Sequence, residues 1–210
     1  MFEERAEEPL EDDVTSRAMT VLASANRLRK TFVGELIEVA IVALLLFFVA
    51  RIAVQNFRVH GHSMLPSLHN NEFVIVDKIS YDFISPQRGD IVVFRYPMDP
   101  SQDFIKRIIA VPGDRVQIHS GGVYVNGVRL HEPYIKAPYP RLFMMSTIPY
   151  TVSDVVPKGE YFVLGDNRND SDDSHLWGLL PAKDIIGRAI LSYWPPQDVG
   201  FLGDPSTSGK

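Results

Sequence analysis

Residues 39–50 read VAIVALLLFFVA, twelve side chains in a row without a charge or a hydrogen-bonding group. This run constrains the fold more than any other feature, because it must be hidden from water in a core or in lipid. As a helix at 1.5 Å per residue it covers only ~18 Å, short of a ~30 Å hydrocarbon core. Residues 36–54 reach ~28 Å, at the cost of including Glu38 and Arg51. Both lie near the ends, where long side chains extend to the interface. Three readings compete: a buried core helix, a cleaved signal peptide and a membrane anchor. For a signal peptide the preceding region is too long, and no clean A-x-A site follows. The anchor is the favoured reading. Arg27, Arg29 and Lys30 before the span, against Arg58 after it, put the N-terminus in the cytoplasm, although Arg51 weakens that asymmetry. The bulk of the chain is then expected outside the cytoplasm.

The 210 residues carry no cysteine, which excludes a disulfide framework, a thiol nucleophile, a zinc–thiolate site and an iron–sulfur cluster. The net charge of −5 argues against nucleic acid as the main partner. That charge is unevenly placed. Residues 1–13 hold seven acidic side chains against Arg5 alone, a sum of −6, so the remaining chain is near neutral at +1. The acidity therefore belongs to a terminal tail.

Beyond Phe57 the pattern is that of strands. Segments 73–76, 91–96, 104–111, 116–118, 161–164 and 185–193 are rich in β-branched and aromatic residues. Gln87-Arg88-Gly89-Asp90 and Pro112-Gly113-Asp114 separate them as turns. In 123–130 the pair Asn126-Gly127 predicts a hairpin with a type I′ turn. No useful helical period follows residue 60. The expectation is a mostly β domain on a helical stalk. Its divisions are a tail (1–30), a membrane helix (31–56), a β domain (57–194) and a flexible C-terminal tail (195–210). Residues 131–158, with five prolines and Met144 and Met145, read as an irregular insertion.

Three segments could carry chemistry. Ser63 sits between Gly61 and Pro66 in a short apolar loop, a weak signal alone, since most such serines are turn formers. In 104–109 strand alternation puts Phe104, Lys106 and Ile108 on one face and Ile105, Arg107 and Ile109 on the other. A lysine on an apolar face usually snorkels. Yet serine needs a base, and lysine is one only when neutral. At the ordinary pKa of ~10.4, under ~0.1% is neutral at pH 7, and burial beside Phe104, Ile105, Ile108 and Ile109 acts to raise that fraction. The third segment is the carboxylate-rich stretch 165–178. It lacks the glycine and closing glutamate of a calcium loop. It reads instead as a loop cross-linked by Arg168 and its Asx side chains, with Ser171 or Ser174 free to orient a neighbour. His60, His62 and His69 flank Ser63, so a Ser-His-Asp triad stays open, although sequence proximity does not argue for it.

Taken together, GHSMLPSL (61–68), RGDIVVF (88–94), FIKRIIAVPGD (104–114) and GDNRNDSDDSHLWG (165–178), in this order behind an apolar span, strongly resemble bacterial type I signal peptidases. The resemblance covers residues 34–194. It implies a membrane-anchored serine endopeptidase with a Ser-Lys dyad on coiled antiparallel β-strands, cleaving exported preproteins after a small-x-small site. By motif position Ser63 is the implied nucleophile and Lys106 the general base. Ser171 matches a serine that orients the lysine, and Asp173 an acidic brace. The Ser63 N–H, together with Gly61, is expected to form the oxyanion hole. Phe57, Val59, Met64, Leu68, Phe104 and Ile105 are expected to line the substrate pocket. Three departures from the family pattern stand out. Gly61 occupies a position where some members have an oxyanion-hole serine, Ser67 replaces a commoner threonine, and His175 stands where arginine is usual.

The implied partners are exported preproteins and membrane lipid. The chain is expected to be a monomer without cofactor or metal, in the bacterial cytoplasmic (inner) membrane. Its single span leaves the catalytic domain extracytoplasmic, or periplasmic. The alternative is a membrane-anchored non-catalytic β-domain, a binding or scaffold protein of the secretion machinery. A cytosolic self-cleaving repressor with Ser-Lys chemistry is disfavoured by the span and by the lack of a helix-turn-helix region.

Overall fold

The computed structural model describes Arg17 and residues 33–48, 51–119, 121–135, 150–151 and 155–203. The chain divides into two compact units, 1–50 and 51–210. Helix α1 (Val33–Ala53) contains the apolar run and is 21 residues long, enough for ~31 Å. None of its most apolar window is buried within the protein. A core helix would hide that surface, so the buried-helix reading loses its support.

The second unit is built from β-strands. One sheet runs in the order β1 (Val54–Arg58), β2 (Phe73–Asp77), β11 (Ile185–Trp194), β3 (Ile91–Tyr96), β4 (Asp99–Ala110), β9 (Glu160–Leu164), β10 (Leu180–Pro181), and β12 (Gly200–Phe201) joins the side of β11. A smaller sheet orders β7 (Val128–Arg129), β6 (Gly122–Val125), β5 (Val116–His119) and β8 (Tyr150–Thr151). Every pairing is antiparallel. Register shifts interrupt the β11, β3–β4 and β4–β9 ladders. Such bulges bend a strand and add local twist. Apart from the last residues of α1, the only α-helical turn in this unit among the described residues is α2 (Ser174–Trp177).

Alternation explains why apolar runs rather than alternating patterns mark the central strands. Ile91 and Val93 of β3 enter one core cluster with Val59, Met64, Leu68, Val74 and Val76, while Val92 and Phe94 enter another with Ile108 and Val163. Both faces of β3 are therefore buried. A third cluster joins Ile109 and Phe162 to Val116, Ile118 and Val123 of the smaller sheet. Asn126 (φ 55°) and Gly127 (φ 80°) both take positive φ, as the predicted type I′ turn requires.

Two expectations change. Strand β1 begins at Val54, inside the segment assigned to the span. The C-terminal stretch is not a free tail from residue 195. Leu202 packs on the core around Val74, and its N–H donates to the Ile190 carbonyl at 2.9 Å. The apolar Val199, Phe201 and Leu202 hidden among prolines and glycines carried that signal. Of the 131–158 insertion, 136–149 and 152–154 lie outside the described residues, including Met144 and Met145. The same holds for the acidic tail 1–13 and for the basic flank at Arg27, Arg29 and Lys30.

Candidate active site

Three segments converge on one cleft of about 730 Å³, lined by Ser63 and Lys106 together with Phe57, Arg58, Val59, Val74, Val93, Phe104 and Ile105. The first segment is the loop between β1 and β2. Its neck is closed by Val59 N–H on the Glu72 carbonyl and Asn71 N–H on the Val59 carbonyl, both at 2.8 Å. Met64 and Leu68, each 1% exposed, plug the loop into the core. Glu72, also buried, accepts from the His69 N–H at 2.8 Å and the Ser192 hydroxyl at 2.9 Å. A loop closed at its ends and packed by its own side chains holds a fixed shape, and Ser63 sits on it.

Strand β4 supplies Lys106, which pairs with Val92 of β3. Its Nζ lies 2.7 Å from Ser63 Oγ and 3.1 Å from the Ile105 carbonyl oxygen, and it forms no ion pair among the described residues. At 4% exposure, burial pulls the Lys106 pKa from its ordinary 10.5 down to about 8, while the carboxylates of Asp173, Asp172 and Asp166 act against that fall. At pH 7 roughly a tenth of the side chain is then neutral, about three hundredfold more than for a free lysine.

The third segment is the loop 165–173. Asn167 donates its N–H to the Ser63 carbonyl at 2.9 Å and its Nδ2 to the His62 carbonyl at 3.1 Å. Asp173, 1% exposed, accepts from the Gly165 N–H at 2.9 Å and the Ser171 hydroxyl at 2.5 Å. It caps α2 through the His175 N–H at 3.3 Å and meets His175 Nδ1 at 2.6 Å. On the opposite face of β4, Arg107 grips Asp166 through two bonds of 2.9 and 2.7 Å and lies 4.1 Å from the centre of the Tyr134 ring. Arg168 bonds the Gly165 carbonyl at 2.9 Å and pairs with the Glu132 carboxylate. These buried pairs tie β4, the loop and the first residues of the insertion together behind the cleft.

Sequence comparison decides what this arrangement belongs to. Residues 33–194 match the family described as signal peptidase, peptidase S26. The chain belongs to that family. A probable signal peptidase I-1 of Synechocystis sp. is 42% identical over 181 residues, covering 82% of this chain and 88% of that protein. Signal peptidase I of Leptolyngbya laminosa is 44% identical over 152 residues, covering 69% and 71%. Signal peptidase IB of Staphylococcus aureus is 32% identical over 191 residues, covering 86% and 99%. A crystal structure of a signal peptidase I from Enterococcus faecalis V583 matches with 33% identity and a TM-score of 0.39, over 50% of this chain and 97% of that one. The peptidase S26 family uses serine protease chemistry, and the apolar helix fits a membrane-anchored member.

The fold brings Ser63 and Lys106 into direct contact, whereas Ser63 Oγ has no histidine partner among the described residues. Of the residues that the resemblance assigns to the substrate pocket, Phe57, Val59, Phe104 and Ile105 line the cleft. Met64 and Leu68 do not: they lie beneath its floor, because an apolar loop must bury some side chains to keep its shape. Gly61 is also displaced from its expected role. Its N–H donates to Asn70 Oδ1 at 3.1 Å and is not free for an oxyanion. The Ser63 N–H has no protein acceptor among the described residues. Ser171 gives its hydroxyl proton to Asp173 rather than meeting Lys106, so both brace the loop. Ser174 is wholly buried, its Oγ accepting the Val163 N–H at 3.0 Å.

Residue-by-residue reading missed Arg107, Asp166, Glu132, Tyr134 and Asn167. Arg107 carried a usable signal: it shares a strand face with Ile105 and Ile109, and a buried guanidinium demands a buried carboxylate.

Proposed function

We propose that the chain removes signal peptides from exported preproteins with Ser63 as nucleophile and Lys106 as general base. The observation that carries this reading is the 2.7 Å contact between Ser63 Oγ and a buried lysine whose pKa falls to about 8. Neutral Lys106 takes the Ser63 proton as Oγ attacks the scissile carbonyl. The resulting ammonium returns that proton to the leaving amine, and an acyl-enzyme on Ser63 remains. Lys106, neutral again, then deprotonates a water that hydrolyses the ester and restores Ser63. The Ser63 N–H supplies one oxyanion donor. Phe104 offers its ring face 5.1 Å from Lys106 Nζ, which helps keep the base dry.

Strand β1 lies at the edge of the main sheet, and Phe57 and Val59 beside it face the cleft. An extended substrate segment is proposed to add to that edge, its backbone pairing with β1 and its small side chains entering between Phe57, Val59, Val74, Val93, Phe104 and Ile105. The chain acts as a monomer. Helix α1 spans the bacterial cytoplasmic membrane once, with the basic N-terminal flank in the cytoplasm and residues 57–194 outside it. Anchoring enzyme and signal sequence in one bilayer raises their effective concentration without a new contact.

The test is cleavage of a preprotein by the purified full chain in detergent, with the product's new N-terminus sequenced. Cleavage after a small-x-small site that is lost in Ser63→Ala and kept in His62→Ala is expected. Retained cleavage in Ser63→Ala, or loss only in His62→Ala, refutes the reading.

A further inference from the structure

Asp172 stands between Ser171 and Asp173 but shares neither of their contacts. It is exposed, it lines the cleft, and its carboxylate accepts a hydrogen bond from the Tyr96 hydroxyl at 3.2 Å. Tyr96 ends β3, 76 residues earlier, so this bond ties the loop 165–173 to the main sheet at the cleft rim. The Tyr96 ring cannot wander. It stacks on Phe104 with centroids 4.3 Å apart and planes 11° apart, and Trp177 meets it edge-on at 6.0 Å. Phe104 in turn packs against Lys106 Nζ. The hydroxyl that holds Asp172 is thus fixed by the same aromatic stack that backs the base.

Three carboxylates act on Lys106: Asp173, Asp172 and Asp166. Asp173 is committed to Gly165, Ser171 and His175, and Asp166 to Arg107. Among the described residues Asp172 hydrogen-bonds only a neutral phenol, so its charge is the least offset of the three. Asp103, Asp170, Arg58, His60 and His62 line the same cleft and complete the charged and titratable surroundings.

We propose that Tyr96 and Asp172 form a latch that fixes a carboxylate beside the dyad, making Asp172 a positioning residue that governs the proton equilibrium of Lys106. The proposal rests on the reading of Lys106 as the base of Ser63. A negative charge favours the ammonium form, so the latch holds back the neutral base at low pH. A unit charge several ångströms away in a water-like medium shifts such an equilibrium by roughly two- to fivefold. Because Asp172 is exposed, salt screens the effect.

The test is kcat/KM against pH on a preprotein, with the full chain in detergent at low salt and at 1 M salt. The unmodified chain is compared with Asp172→Asn, Tyr96→Phe and the double variant, with Lys106→Ala as reference. At low salt Asp172→Asn is expected to move the acid limb to lower pH. On that limb its kcat/KM, relative to its own plateau, rises roughly two- to fivefold. Tyr96→Phe moves the limb the same way by less, the double variant matches Asp172→Asn, and high salt brings all profiles together. A limb that stays in place in Asp172→Asn overturns the latch, even if the melting temperature falls, since a merely structural contact does that. Activity in Lys106→Ala overturns the dyad and the latch together, and that result is read separately in the reference variant.

Discussion

Replacing Gly165 by alanine probes how closely the two loops of the site are packed. A Cβ on Gly165 would lie 2.5 Å from the Ser63 carbonyl oxygen and 2.7 Å from Ser171 Cβ, with Ser171 Oγ nearer still. Ordinary non-bonded contact begins near 3.5 Å, so the loops must part by about 1 Å. The glycine does not use the left-handed region, so the cost to alanine is steric and not conformational. The Ser63 carbonyl cannot swing aside freely, because it also holds the Asn167 N–H at 2.9 Å. Overpacking of this kind costs about 1–3 kcal/mol, or roughly 2–10 °C in melting temperature for a domain of this size. The effect on rate is larger. Ser63 Oγ and Lys106 Nζ are 2.7 Å apart, and a displacement of about 1 Å at a reacting pair costs on the order of a hundredfold. Thermal melts and preprotein cleavage by the detergent-solubilised chain measure both quantities. Unchanged kcat/KM with an unchanged melting temperature in Gly165→Ala would refute the steric reasoning.

Two further outcomes follow from the buried network. Asp166→Ala leaves the Arg107 guanidinium buried without its carboxylate and is expected to destabilise by about 3–5 kcal/mol in denaturant unfolding, whereas an Arg107→Leu/Asp166→Leu pair recovers most of that loss; equal stability of the single and double variants would contradict it. Asp173→Ala strips the acceptor from the Gly165 N–H, the Ser171 hydroxyl and His175, and is expected to lower the melting temperature and reduce cleavage well over tenfold; a variant with normal kcat/KM would show that the loop keeps its shape without that brace.

Much of the fold was legible because its signals are local. The run IVVF at 91–94 needed only β-branched and aromatic content to be read as a strand, and Asn126-Gly127 needed only turn chemistry. The dyad was legible at two levels: alternation placed Lys106 among Phe104 and Ile108, and motif order matched it to Ser63. What was not legible depends on contacts between distant segments. Whether Gly61 offers its N–H depends on Asn70 reaching across the loop, which no spacing rule reveals. Met64 and Leu68 were expected in the pocket from the family resemblance, but the loop's own stability claims them for the core. The strand β12 escaped notice because two residues paired to β11 leave no periodicity to detect.

The central claim is that a buried, largely desolvated Lys106 serves Ser63 as its base. The measurement that tests it most directly is kcat/KM against pH for the full chain in detergent on a preprotein. Burial lowers the Lys106 pKa, so the neutral base is scarce below about pH 8 and dominant above it. Activity is expected to rise through an acid limb centred near pH 8 and to vanish at every pH in Lys106→Ala. A limb near pH 6.5 that survives in Lys106→Ala and disappears in His62→Ala would contradict it, since that is the behaviour of an ordinary histidine base.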